Sequence, residues 1–266
     1  MPDKEVHQSG DIVRLIDIRK TYITGDLQVP VLKGIHATVK RGEFVGFIGT
    51  SGSGKSTLLN ILGMLDVPTA GQYFLEETEV SQLTDVEQAT IRNRKIGFIF
   101  QSFNLFPHLS VEENIEVPMI YGRIAGRIRR KRALDLAQRV GLGHRLGHRP
   151  TQLSGGECQR IAIARALSNN PAFILADEPT GNLDEKTSDE IMKLFHELNR
   201  EQGVTIVMVT HNPALGPHYD KIIRLRDGRI DETLLEWEVK KQEHAVFKEI
   251  EEQRDKAEVE INEVTQ

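Results

Sequence analysis

Phe44-Val45-Gly46-Phe47-Ile48-Gly49-Thr50-Ser51-Gly52-Ser53-Gly54-Lys55-Ser56-Thr57-Leu58-Leu59-Asn60-Ile61-Leu62 is the stretch whose reading decides the fold. It opens with a short, continuous apolar run, as expected of a parallel strand buried on both faces. It closes with apolar residues at helical spacing. Between them, Gly49 to Thr57 fits G-x-x-x-x-G-K-[ST]. Gly49, Gly52 and Gly54 let the backbone curl around an oxyanion without Cβ clashes, while Thr50, Ser51 and Ser53 supply further amides. The helix that follows presents a partial positive charge at its start. In such a loop Lys55 reaches the outer phosphates, and the hydroxyl of Ser56, next to Thr57, is a magnesium ligand. A glycine-rich turn that binds nothing is the bland reading, and strand and helix on either side argue against it.

Outward from this loop the pattern repeats. Ile12–Thr21 and Val31–Val39 read as strands, with a turn at Lys40-Arg41-Gly42-Glu43. Ile96–Phe100, Ala172–Ala176 and Val204–Val209 read as further strands, and Ser188–Gln202 carries Ile191, Leu194, Phe195 and Leu198 on one helical face. Ser110–Leu146 reads as mostly helical, interrupted at Pro118. Strands alternating with helices predict an α/β fold with a mainly parallel sheet. Asp227-Gly228, between Lys221–Leu225 and Arg229-Ile230, is a hairpin signal.

The strand Phe173–Ala176 ends in Asp177-Glu178. Neighbouring strand positions face opposite ways, so the two carboxylates can do different work. Asp177 suits a magnesium shell, and Glu178 is then free to orient or deprotonate an attacking water. His211 follows the strand ending at Thr210; alone, a histidine there reads first as structural. The phosphate loop does not by itself choose among kinases, GTPases and ATPases. The sequence has no Asn/Thr-Lys-x-Asp guanine-reading motif, which removes the GTPases.

Leu153-Ser154-Gly155-Gly156-Glu157, followed by Arg160 and Ala162-Ile163-Ala164-Arg165-Ala166-Leu167, resembles the signature motif of the ATP-binding cassette family. Ser154 and two glycines at a helix start form a second anion-binding nest. The resemblance covers nearly all of residues 12–231. It implies a phosphate-loop core with an antiparallel β subdomain, a helical subdomain inserted at about 103–165 and an ATPase domain over 1–231. It also implies that two copies pair head to tail, each signature closing over ATP held by the other's phosphate loop. Carried over by position, Tyr22 stacks on adenine, Gln101 senses magnesium and faces the membrane partner, Asp184 in Asn182-Leu183-Asp184 lies in the loop through which subunits communicate, His211 is the switch histidine and Glu178 the catalytic glutamate. Two positions depart from the pattern: Thr50 replaces a usual proline, and Cys158 a usual glutamine. Cys158, beside the signature, is expected at the dimer interface, where a thiol reagent would block closure; a tolerated surface substitution is the equal alternative.

Ile96–Asn114 is similar to the subgroup serving macrolide export, lipoprotein release and cell-division signalling. That resemblance implies ATP and Mg²⁺ as ligands and an integral membrane partner with an extracytoplasmic domain. It places the chain peripherally on the cytoplasmic face of the inner membrane. The alternative is a regulatory ATPase that controls a membrane partner without moving cargo.

Composition bounds these readings. Hydrophobic residues make up 39% of the chain, enough for a large core, and one cysteine excludes an internal disulfide. No apolar run is long enough to span a membrane. The net charge is −5; residues 232–266 hold 11 acidic and 5 basic residues, net −6, which leaves +1 for residues 1–231. A near-neutral body gives no footprint for nucleic acid. The basic cluster Arg123, Arg127, Arg129, Arg130, Lys131 and Arg132 reads as a solvated helix face, with anionic lipid as its rival. In 232–266 an apolar stripe (Leu235, Val239, Val246, Ile250, Ala257, Ile261, Val264) predicts a helical tail that packs on a dimer mate or on the membrane subunit.

Overall fold

The computed structural model describes residues 10–231. The tail 232–266, and the helix expected there, lie outside the described residues. In chain order the strands are β1 (Asp11–Thr24), β2 (Leu27–Lys40), β3 (Phe44–Gly49), β4 (Ala70–Leu75), β5 (Thr78–Glu79), β6 (Ile96–Phe100), β7 (Phe173–Asp177), β8 (Thr205–Thr210), β9 (Lys221–Arg226) and β10 (Arg229–Ile230). The α-helices are α1 (Lys55–Leu62), α2 (Asp85–Lys95), α3 (Val111–Tyr121), α4 (Gly126–Arg139), α5 (Gly155–Leu167) and α6 (Glu185–Gln202).

A six-stranded sheet in the order β10-β9-β3-β8-β7-β6 forms the core, parallel except for β10. The central strands β3, β8 and β7 bury both faces, and the pleat divides their side chains between two apolar clusters. Phe44, Ile174, Ala176, Ile206 and Met208 join α3, α4, α5 and α6 on one side. Val45, Phe47, Phe173, Leu175, Val207 and Val209 join α1 and the second sheet on the other. Each fully buried Phe, Val or Ile contributes about 1.5–3 kcal/mol, so these clusters dominate stability.

The second sheet is antiparallel, in the order β2-β1-β4-β5. β1 runs past the expected limits, and Ile12 and Val13 are both buried, which simple alternation forbids. Register shifts between Asp11 and Val13 and between Leu15 and Ile18 rotate the strand enough to allow it. Asp227 (φ 48°) and Gly228 (φ 76°) make the hairpin between β9 and β10, the geometry that two-residue turns favour.

The helical insertion corrects one expectation. Pro118 lies inside α3 and does not interrupt it; the break comes at Gly122–Ala125. The carbonyl of Pro118 accepts from Gly122 N–H and from the side-chain amides of Asn93 and Asn169, which holds the last turn together. α6 begins three residues before Ser188 because Asp184 caps it: its Oδ1 accepts from Thr187 N–H at 3.0 Å.

Candidate functional site

The phosphate loop joins the C-terminal end of β3 to α1. Gly54 precedes the helix at φ 102°, and no side chain caps it. The amides at the start of α1 are therefore left for an outside acceptor. Lys55 Nζ donates to the carbonyls of Gly49 (2.7 Å) and Thr50 (2.9 Å), so its cation is held against the loop. Ser53 is buried, and its Oγ has no hydrogen-bond partner. Thr50, Ser51, Gly52 and Ser56 are exposed. From behind, Gly228 N–H donates to Ser53 O at 3.0 Å. A Cβ on Gly49 would lie 2.5 Å from Leu225 O, so only glycine fits beneath the loop.

Asp177 continues the Phe173–Leu175 face of β7 and lies on the same side as α1. Burial is the first cause that raises its pKa, and the Glu178 charge adds to it, while Lys55 opposes both. A cation beside Asp177 would relieve both raising causes. Glu178 leaves the strand at φ 42°, with its N–H on Val209 O at 2.9 Å. This turn sends its carboxylate elsewhere: Glu178 Oε1 lies 2.6 Å from Nδ1 of the largely exposed His211. The sequence placed these two residues on separate strands, and the structure brings them together.

Gln101, just past β6, donates to Asn182 Oδ1 at 3.2 Å, and Asn182 Nδ2 donates back to Gln101 O at 3.1 Å. Leu183 and the Asp184 cap follow. Leu183 packs toward Gly155, where a Cβ would lie 3.3 Å from Leu183 Cδ2. A Cβ on Gly156 would lie 2.5 Å from Thr187 Cγ2, so the signature glycine also sets how closely α5 approaches α6. Ser154 caps α5: its Oγ accepts from Glu157 N–H (3.2 Å), and Glu157 Oε2 accepts from Ser154 N–H (2.9 Å). That second bond is the main reason the Glu157 carboxyl sits below its usual pKa. The S-x-x-E spacing was a capping box in the sequence as much as a signature. Leu153, half-buried, packs on the helical-side core.

Two expectations change. Cys158 is not a surface substitution: it is buried, its Sγ lies 3.6 Å from Pro150 O, and burial pushes its pKa up, so a thiol reagent meets little access and less thiolate than at a free cysteine. In the basic cluster, Arg129 pairs with Glu116 at 3.0 Å and Arg132 bonds Leu167 O and Asn170, so these two are structural and not part of a solvated face. Tyr22 is part-exposed on β1, with its hydroxyl on Asp66 Oδ2 (2.8 Å) and Lys20 Nζ 4.9 Å from its ring centre. Any base stacked there shares the ring with a cation.

Free amides, a held lysine and an orphaned serine hydroxyl fit a polyphosphate. Among the described residues no three His, Cys, Asp or Glu side chains group to hold a metal. Magnesium carried by a nucleotide needs only one or two protein carboxylates beside phosphate oxygens and water. Asp177, Ser56 and Gln101 supply donors of that kind.

A glycine loop between buried strand and helix, with a half-buried carboxylate ending a strand of the same sheet, defines a phosphate-loop nucleotide hydrolase. The pattern of the ABC transporter family matches residues 32–181, and the chain belongs to that family as an ATPase domain. The macrolide export ATP-binding/permease protein MacB of Syntrophobacter fumaroxidans is 52% identical over 223 residues, 83% of this chain and 31% of that protein. An ABC transporter ATP-binding protein of Thermotoga maritima is 54% identical over 220 residues, 83% of this chain and 94% of that protein. The chain thus spans about a third of the macrolide-export relative and nearly all of the other. The dimeric ATP-binding cassette MJ0796 of Methanocaldococcus jannaschii, solved in a post-hydrolysis state with ADP and Pi, shares 47% identity at TM-score 0.75, over 82% of this chain and 96% of that one. Among the described residues no helix is long and apolar enough to cross a membrane.

Proposed function

We propose that this chain hydrolyses ATP between two copies of itself and thereby drives an integral membrane subunit with an extracytoplasmic domain. It acts from the cytoplasmic face of the inner membrane. The observation that carries this reading is the presence of two glycine-led helix starts on different elements, one uncapped at α1 and one self-capped at α5. The phosphate loop continues β3, whereas Gly155 of the signature lies beside Leu183 and Phe103, the latter just past β6. A head-to-tail pair brings one of each to the same nucleotide, and the 47% identical cassette MJ0796 is dimeric in its state with ADP and Pi.

In that pair Lys55 and the amides from Gly49 to Thr57 bind the phosphates, and Tyr22 stacks on the base. Ser56, Gln101 and Asp177 hold magnesium, which when bound neutralises charge on the outer phosphate oxygens. Ser154, Gly155 and Gly156 approach from the other copy, with Leu153 and Glu157 fixing their helix and Asp184 bordering the contact. Glu178 orients and deprotonates water. His211 holds the γ-phosphate end, which requires it to share or leave its present bond to Glu178. The relatives are a macrolide export protein and an ABC transporter ATP-binding protein, which favours transport over the regulatory alternative.

Glu178→Gln keeps both anion sites and removes the base. With ATP it should convert from monomer to dimer in light scattering, while phosphate release falls by about 10²–10⁴. Near-normal hydrolysis, or a monomer at saturating ATP, would overturn the reading.

A further inference from the structure

Between the edges of the two sheets, with β1 and β2 on one side and β9 and β10 on the other, lies a cavity of about 780 Å³. Arg14, His36, Lys221 and Arg229 line it, and no carboxylate does among the described residues. Their contacts are with neutral groups. Lys221 Nζ donates to Thr38 O (2.8 Å), Arg229 Nη1 to Lys33 O (3.2 Å), and the Arg14 guanidinium lies 4.4 Å from the Phe74 ring centre. The carboxylate next to His36, that of Asp17, is taken by Arg19 at 2.9 Å. Cationic walls thus surround an apolar floor of Ile16, Ile223 and Ile230. Such a surface suits a ligand that is both acidic and apolar.

The chain leaves the cavity at that floor: Ile230 lines it, and Asp231 N–H is fixed on Arg224 O at 2.9 Å. The next residues are Glu232-Thr233-Leu234-Leu235-Glu236-Trp237-Glu238, carboxylates interleaved with large apolar side chains. Extended, they reach roughly 20 Å, and covalent attachment gives them a millimolar-range effective concentration at the cavity. We propose that residues 232–238 lie back over this cavity in the same copy, their carboxylates on Arg14, Lys221 and Arg229 and Leu234, Leu235 or Trp237 on the apolar floor.

Trp237 is the only tryptophan, so its fluorescence reports this segment in the full chain. Acrylamide should quench it at least about twofold less in the wild type than in an E232Q/E236Q/E238Q variant, and 0.5 M salt should erase most of that difference. Carbodiimide coupling of the wild type should join Lys221 to a carboxylate of residues 232–238 in species of monomer mass. Equal quenching in the two proteins overturns the proposal. So does a shielded Trp237 without the Lys221 link. A link found only at dimer mass assigns the cavity to the other copy's segment and also overturns it. None of these readouts requires hydrolysis, so the proposed ATPase cycle and this contact fail separately.

Discussion

Two helices in this molecule begin with glycine beside a serine or lysine, and they satisfy their first amides in opposite ways. α1 has no side-chain cap, and its lysine turns back onto loop carbonyls. α5 carries its own partner: the capping box of Ser154 and Glu157 occupies the amides of both residues. The first start is incomplete without an anion. The second is stable alone, and an incoming oxyanion has the Gly155 and Gly156 amides and the serine hydroxyl to meet. Such a difference suits one site that binds tightly in a single copy and another that engages only when two copies meet.

The widest break in this comparison comes from Lys55→Ala set against Ser154→Ala. Charge-assisted hydrogen bonds are worth about 1.5–3 kcal/mol, so losing Lys55 should weaken nucleotide binding to the monomer roughly 10- to 100-fold by calorimetry. Ser154→Ala should leave that affinity unchanged and prevent ATP-driven dimerisation. Equal loss in both variants would mean that the two starts share one role. A sharper, smaller test is Gly156→Ala. Its Cβ would run into Thr187 Cγ2, and overpacking of this kind costs about 1–3 kcal/mol in thermal or urea unfolding. Adding Thr187→Ser removes the offending methyl, keeps the hydroxyl on Asp184 and should restore stability; failure of that rescue would locate the strain elsewhere.

The smallest effect is on pH. Glu157 has a folded pKa below its unfolded value, so its contribution is complete above the unfolded value, about 4.3, and fades as pH falls through the folded one. Melting temperature should therefore fall more steeply below about pH 4.3 in the wild type than in Glu157→Gln. Parallel curves would show that the carboxylate adds nothing beyond its shape.

Much of this architecture was legible in residues alone. The strand–loop–helix of Phe44–Leu62, the acidic end of β7, the amphipathic face of α6 and the Asp227-Gly228 turn all declare themselves by local chemistry. The antiparallel sheet did not: the bulges of β1 blur its alternation, and only the family resemblance suggested it. α2 was missed although Thr84 and Glu87 form a capping box whose spacing was readable. Pro118 misled because the side-chain amides that hold its carbonyl, Asn93 and Asn169, come from elsewhere in the chain. Cys158 misled for a related reason, since its neighbours on the signature helix say which turn it occupies and not which face. The Glu178–His211 contact depends on a left-handed turn after β7 that no spacing reveals.

Gly228 takes part in more than a hairpin. Its N–H holds Ser53 O, its carbonyl holds Lys33 N–H on β2, and a side chain there would drive into Val31 O. It is a rivet fastening the antiparallel sheet, which carries Tyr22, to the loop that faces the phosphates. A nucleotide gripped at base and triphosphate is thus gauged against one hard point, and the span between the two grips is fixed before anything binds.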